Sequence, residues 1–306
     1  MSGPLFTPRP GQAAVFRHIS RTLYQIMRRQ YGKSYGLGAW ALDRMMADVV
    51  DVIFCSASVR LGMENIRKEV KVWWDLITRG KQVAQQKHMR LTTSADNDRG
   101  ALLDLDAVCD LFESQKLETK IWHDRTRCSR SIVVAPNPDT AVGWTGTVCF
   151  DEVGRMPEFK EMLESMEPII ASSPTLCIRG VTTPPPDDAH HSYELLAPPP
   201  DLKFPVNPAG NFYRSTAGVL VHRLDAWDGY AGGVPLYHKE TGAPMTPEEH
   251  RETYLDKDAW DRNYGCRFLR GGAAAVSLTS LYHAQAAGAA AGCLGVNVTD
   301  ALELAA

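Results

Sequence analysis

No cysteine in this chain stands in a C-x-x-C pair or with histidine at zinc-ligand spacing, which argues against a zinc module or a dithiol redox motif. The seven cysteines are odd in number, so they read as reduced thiols of a cytosolic protein, not as a disulfide framework. The opening MSGPLFTPRPGQ lacks the charged-then-apolar order of a secretory leader, and export is not expected. An excess of charge of one sign is also missing: 33 Lys plus Arg meet 36 Asp plus Glu, a net charge of −3. A polyanion would therefore have to be held by a local patch. There is no internal repeat. Gly271 to Thr299 carries no formal charge, but small and polar residues dominate it, so no membrane span is expected there.

What remains is ordinary globular usage, with 44% apolar and 23% charged residues over 306 positions, enough for one large domain or two modest ones. Residues 12–31 open with helical periodicity, Val15, Ile19, Leu23 and Ile26 falling near i, i+4 and i+8, and lead into a short apolar stretch. A helix is expected from about Lys33, then a buried strand in VVDVIFCSAS and an amphipathic helix over about 60–74. Residues 75–130 are polar, with helical potential near 100–116 and a basic cluster at Lys116, Lys120, Arg125, Arg127 and Arg130. SIVVAP and TVCFDE read as strands, PEFKEMLESMEPIIAS as a helix, TLCIRGVTT as a strand. Strands alternating with helices imply a mostly parallel sheet flanked by helices. Beyond Thr183 proline-dense segments mark a boundary or surface loops. RSTAGVLVHRLDAW then reads as one more strand, and Thr246-Pro247-Glu248-Glu249 as a capped helix start.

Three strings carry chemistry. Arg29-Gln30-Tyr31-Gly32-Lys33-Ser34 sits between a strand and a helix, where a phosphate-binding loop belongs. Backbone N–H groups at the helix start converge on an anion, Lys33 reaches terminal phosphates, and the Ser34 hydroxyl can ligate Mg²⁺. The full pattern places glycine at position 27, where this chain has Met27. The second string, Thr147 to Glu152, is an apolar strand delivering Asp151 and Glu152 at its C-terminal edge, where ligands of α/β sheets sit. Asp151 would hold the metal, and Glu152 would polarise the attacking water. The third is Thr182-Thr183-Pro184, two hydroxyls at another strand end, placed to sense a γ-phosphate. Each string alone also has a bland reading as a turn or a strand end. In this order within an alternating α/β chain they point together to a nucleoside triphosphatase. Gln12 is a candidate adenine contact, and Arg28 and Arg29 are candidate charge stabilisers beside the loop.

RRQYGKS, FCSASVRLGMENIRKEV, VVAPNPDTAVGWTGTVCFDEVGRMP, VTTPPP and WDRNYGCRFL resemble the ATPase part of the large terminase subunits of tailed phages and prophages, over about residues 8–270. The resemblance implies a P-loop fold, ATP and Mg²⁺ as ligands, and packaging of double-stranded viral DNA into procapsids. It assigns Gln12 to adenine, and the loop Arg28, Arg29, Gln30, Tyr31, Gly32, Lys33 and Ser34 to ATP. Arg29, or alternatively Arg28, matches the loop arginine. Ser34 and Asp151 correspond to the metal contacts, Glu152 to the catalytic glutamate, Thr182 and Thr183 to the coupling motif. It further implies a small terminase subunit, a capsid portal protein, a homo-oligomeric ring and the bacterial host cytoplasm. On this basis 1–185 is the ATPase core, 186–270 a proline-rich lid and closing part, and 271–306 an Ala/Gly-rich tail or vestigial start of a nuclease domain. Family members usually continue into an RNase H-like nuclease, whereas the strand-like stretch 293–298 offers Asn297 where an acid is expected; no nuclease activity is expected. A helicase-like DNA-dependent ATPase and an inactive prophage remnant that binds DNA or partner subunits without turnover are the alternative readings.

Overall fold

The computed structural model describes residues 7–86, 111–141, 143–269 and 288. Its strands in chain order are β1 (Thr22–Met27), β2 (Val52–Ser56), β3 (Phe112–Ser114), β4 (Glu118–Trp122), β5 (Cys128–Val134), β6 (Thr147–Asp151), β7 (Ile178–Thr182), β8 (Asn211–Arg214) and β9 (Leu220–Leu224). They form one nine-stranded sheet in the order β3-β4-β5-β2-β6-β7-β1-β9-β8. The run from β5 to β9 in that order is parallel, and antiparallel β3 and β4 flank it on one side, β8 on the other. A separate ribbon pairs Leu236–Tyr237 with Pro244–Met245.

The central strands β2, β6 and β7 are buried along their whole length, as expected where both faces of a parallel sheet are covered. Period-two alternation still divides their side chains. Ile53, Cys55, Val148 and Phe150 face a core closed by Phe159, Met162, Met166 and Leu196. Val52, Phe54 and Cys149 face the other core, closed by α2 (Lys33–Ala47) and α3 (Val59–Gln86) through Leu37, Trp40, Leu42, Met45, Ile66, Val72 and Trp73. Each such side chain contributes about 1.5–3 kcal/mol by leaving water. Gly180 lies opposite Tyr24 in the β1–β7 register, and a Cβ there would stand 2.3 Å from the tyrosine ring. Glycine is what lets that large ring lie flat on the sheet.

Several sequence expectations change here. The helical spacing over 12–31 does not continue: α1 (Pro10–Phe16) ends early, and Leu23 and Ile26 belong to strand β1. Ile19, the second member of that spacing, is 96% exposed, so it never faced a core. The helix expected over 60–74 runs from Val59 to Gln86. Part of the helical potential near 100–116 falls on β3, a short strand, and residues 100–110 lie outside the described residues. The expected helix after Pro157 is α-helical only over Phe159–Met166; a 3-10 turn, Glu167–Ser172, follows, because Pro168 supplies no N–H to the helical ladder. The single strand expected around 214–227 is a hairpin, β8–β9, turned at Gly218 with φ +80°. The capped helix is found as expected: Thr246 Oγ1 accepts from the Glu249 N–H, and the Glu249 carboxylate accepts from the Thr246 N–H. No helix among the described residues is long and apolar enough to cross a membrane. The tail beyond Leu269, including Asn297, lies outside the described residues apart from residue 288.

Candidate functional site

All six parallel strands end at one edge of the sheet, and the three strings of the sequence meet there. β7 lies between β1 and β6, so Thr182 ends its strand between the phosphate loop that follows Met27 and the acids that follow Phe150.

The loop turns through two left-handed residues, Gln30 (φ 64°) and Gly32 (φ 91°). Gly32 needs no Cβ penalty in this conformation, whereas Gln30 costs on the order of 1–3 kcal/mol, a strain typical of functional loops. The first hydrogen bond within α2 runs from the Gly36 N–H to the Gly32 carbonyl, 2.9 Å. The N–H groups of Lys33, Ser34 and Tyr35 precede it, at the positive end of a 15-residue helix.

The N-cap of α1 and residues in its first turn hold the loop in shape. Arg9 donates to the carbonyls of Gln30 (3.2 Å) and Tyr31 (2.6 Å), Gln12 Nε2 donates to the Gly32 carbonyl (2.9 Å), and the Gly11 N–H donates to the Tyr31 hydroxyl (3.1 Å). The Tyr31 ring lies 5.5 Å from each of the Arg9 and Arg28 guanidinium groups. Met27, where the full loop pattern has glycine, is a buried β1 residue in a small core with Val15, Leu23, Tyr31 and Leu224. The chain leaves the strand after it, and the α1 donors supply the fastening.

Across the cleft Lys33 Nζ lies 2.8 Å from Glu152 Oε1, and Ser34 Oγ donates to Asp151 Oδ1 at 3.1 Å. Asp151 is 2% exposed. Burial first, then the adjacent Glu152 carboxylate, raise its pKa; Lys68, Lys33 and a contact with the Asn65 amide oppose that rise. Glu152 adopts φ 58°, ψ 45°, and its N–H is tied to the Val181 carbonyl at 2.9 Å. Its second carboxylate oxygen, Oε2, is buried with no hydrogen-bond partner among the described residues. Hard oxygen donors on Ser34 and Asp151 suit Mg²⁺, which takes one or two protein oxygens and completes its octahedron with phosphate and water. Among the described residues no group of three or more His, Cys, Asp or Glu could hold a metal by itself.

Thr182 is joined to the acid loop directly. Its Oγ1 accepts from the Gly154 N–H (2.8 Å) and donates to the Thr183 carbonyl (2.7 Å). A Cβ on Gly154 would stand 2.7 Å from that carbonyl, so the loop can lie this close only as glycine.

The remaining expected residues are placed differently from one another. Gln12 is buried, with Oε1 accepting from the Arg9 N–H at 2.9 Å and Nε2 on the loop, both ends of its amide engaged in holding backbone. Arg28 is 1% exposed and turns away from the cleft, donating to the Val234 carbonyl (2.5 Å) against Gly229. Arg29 is exposed on the loop, its N–H fixed by the Asn263 carbonyl at 2.9 Å. Thr183 is buried beside Thr182. In the basic cluster Arg130 pairs with Asp51, Arg127 with Asp124 and Lys120 with Glu118; Lys116 and Arg125 are exposed and form no ion pair among the described residues.

Sequence reasoning missed Arg9, Asn65 and Lys68. Arg9 had a signal: Gln12 stands at the third position of α1, where a capping-box side chain reaches back to the cap backbone. Asn65 and Lys68 carry no motif and become visible only when α3 packs beside β2. A cavity of about 1490 Å³ is lined by residues within 188–206, 216–228 and 265–269. None of Lys33, Ser34, Asp151 and Glu152 lines it, so it is separate from the cleft in which those four residues meet.

No family model matches the chain, and no curated protein matches its sequence. Solved structures do match its fold. The large terminase ATPase domain of Thermus phage P74-26 is 16% identical, with a TM-score of 0.55 over 86% of this chain and 95% of that one. A point mutant of the same domain gives 15% identity and a TM-score of 0.53 over the same shares. A large terminase from a thermophilic bacteriophage, solved with ADP, is 14% identical at a TM-score of 0.47; the match covers 86% of this chain and 54% of that one. The chain thus has the mixed α/β P-loop fold of the large terminase ATPase domain, with a mostly parallel sheet flanked by helices.

Proposed function

We propose that this protein hydrolyses ATP and uses the energy to drive double-stranded viral DNA into procapsids. One observation carries the reading. Two cross-cleft contacts, Lys33–Glu152 at 2.8 Å and Ser34–Asp151 at 3.1 Å, bring the phosphate loop and the strand-end acids into a single cluster. Each partner has the chemistry that its place in a triphosphatase requires.

The loop amides and Lys33 bind the β- and γ-phosphates and stabilise the charge that spreads over the transferred group. Arg29, exposed beside them, adds a second cation; Arg28, packed against Val234, serves the fold. Mg²⁺, when bound, neutralises phosphate oxygens, and Ser34 and Asp151 are the residues that would hold it. Glu152 Oε2, already desolvated, accepts the proton of a water in line with the scissile bond. An O–P bond forms to that water oxygen, the bridging P–O bond breaks, and ADP leaves with the bridging electron pair. Lys33 forms an ion pair with Glu152 Oε1, and phosphate oxygens would compete for the same ammonium.

Gly154 follows Glu152 by two residues, and its N–H donates to Thr182 Oγ1. A shift of the carboxylate on hydrolysis is thereby passed to β7 and Thr183. Lys116 and Arg125, whose charges no carboxylate among the described residues neutralises, are the members of the basic cluster free to meet DNA phosphates. A homo-oligomeric ring, the small terminase subunit and the capsid portal are the partners this reading requires.

A triplex-displacement assay tests it. A third strand bound to linear duplex should be released by the protein with ATP and not with ATPγS. ATP hydrolysis without displacement, in the presence of portal and small subunit, would leave an ATPase but not a translocase.

A further inference from the structure

Asn65 lies on α3, fully buried, nine residues after the end of β2. Its Nδ2 reaches Ser56 Oγ at 3.3 Å. Ser56 is the register partner of Asp151 on the adjacent parallel strands β2 and β6, so the two side chains stand side by side on one face of the sheet and Asn65 reaches the flank of the carboxylate through Ser56. The other end of the amide is taken: Lys68 Nζ donates to Asn65 Oδ1 at 3.4 Å. A lysine can only donate, so this contact fixes the amide orientation and turns the NH₂ group toward Ser56, the neighbour of Asp151 in the sheet.

The helix carrying this pair is anchored one turn further on. Glu69, also fully buried, accepts hydrogen bonds from Thr119 Oγ1 (2.7 Å) and Ser131 Oγ (2.8 Å) on β4 and β5. Asn65 and Glu69 stand at i and i+4, on one face of α3. The first is therefore held on a rigid element, which is what a supporting residue needs if it is to fix the geometry of a ligand group.

We propose that Asn65, oriented by Lys68, is a positioning residue for Asp151, holding that carboxylate in place to receive the divalent metal of the nucleotide complex. The inference rests on the reading of Asp151 as the metal carboxylate. The support comes from α3 through Ser56 on β2, and no sequence motif marks it.

Mn²⁺ titration of the full chain with ATPγS, followed by the electron paramagnetic resonance of free Mn²⁺, tests the proposal. Metal-free ATPγS affinity and thermal unfolding are measured in parallel. Asn65→Ala should weaken Mn²⁺ binding about tenfold or more, the usual consequence of losing a hydrogen-bond partner of a metal ligand, while metal-free nucleotide affinity stays at the wild-type value. Lys68→Met, which frees the amide without removing it, should weaken Mn²⁺ binding by a smaller factor. Wild-type Mn²⁺ affinity in Asn65→Ala, or an equal fall in metal-bound and metal-free nucleotide affinity, would overturn the assignment and leave Asp151 as it stands. A wild-type chain that binds no Mn²⁺–nucleotide would remove the Asp151 reading, and this inference with it.

Discussion

Lys33 Nζ and Glu152 Oε1 lie 2.8 Å apart, with side-chain exposures of 9% and 23%. One residue opens a helix and the other follows a strand that is not its neighbour in the sheet, so their meeting is a product of the whole fold. Lys33→Ala removes the loop's cation and leaves the Glu152 carboxylate uncompensated in a half-buried site. Turnover should fall by a factor of about 10² to 10³, the cost of losing one stabilising donor of a transition state. Nucleotide affinity should fall with it. Phosphate release and a fluorescent-nucleotide titration measure the two; activity within a few-fold of wild type would contradict the role.

Thr182→Val keeps the shape of the side chain and removes the acceptor of the Gly154 N–H. A buried donor left unpaired costs about 1–3 kcal/mol, so thermal unfolding should come earlier. The functional prediction is more specific: DNA-stimulated turnover falls further than nucleotide affinity, because the link between the Glu152 loop and β7 is cut. Equal losses in both would assign Thr182 to stability alone.

Glu69 predicts a pH dependence. Burial raises its pKa to about 8, against the hydroxyl donors Thr119 and Ser131, which lower it. The folded protein therefore keeps a proton that the unfolded chain loses near the ordinary value of 4.5. The stability associated with the neutral side chain is fully present below that value and is lost as pH rises through about 8. Glu69→Gln mimics the neutral form, so the melting temperature should decline less between about pH 5 and 8 than in wild type. Parallel profiles would show that Glu69 is not protonated in the fold.

Lys116 and Arg125 predict a salt effect. Substituting both by Ala should reduce the slope of log affinity for duplex DNA against log salt by about 1 to 2, since each phosphate that is no longer neutralised removes about 0.9. Arg130→Ala, which breaks the pair with Asp51, should leave that slope nearly unchanged. A slope indifferent to the double substitution would move the DNA-binding face elsewhere.

How much of this was legible in the sequence differs residue by residue. Lys33, Ser34, Asp151 and Glu152 were readable because a strand delivering a loop to a helix, and an apolar strand ending in acids, are local patterns. Thr182 was readable as a strand end, but its bond to Gly154 was not, since that depends on β7 lying beside β6. The same limit hid Asn65, whose partner Ser56 is set by how α3 packs on β2, and with it Lys68, which bonds to Asn65 on the same helix. Gln12 was singled out for adenine, and its contacts here are with the Arg9 and Gly32 backbone; the capping position at which it stands carried that information. Ile19 misled, because an i, i+4 spacing counts apolar residues without knowing which of them meet a core. Val15 lies buried in the small core beside β1 and β9, whereas Ile19 lies in water.

The proposed hydrolysis turns on Glu152 as the group that would take the proton from water. Its most direct test is Mg²⁺-dependent phosphate release from ATP, with and without double-stranded DNA, comparing wild type with Glu152→Ala. Wild type should turn over, faster with DNA, and the variant should lose that turnover by a factor of about 10² or more, with ATP still bound. Equal turnover in the two proteins would contradict the role of Glu152.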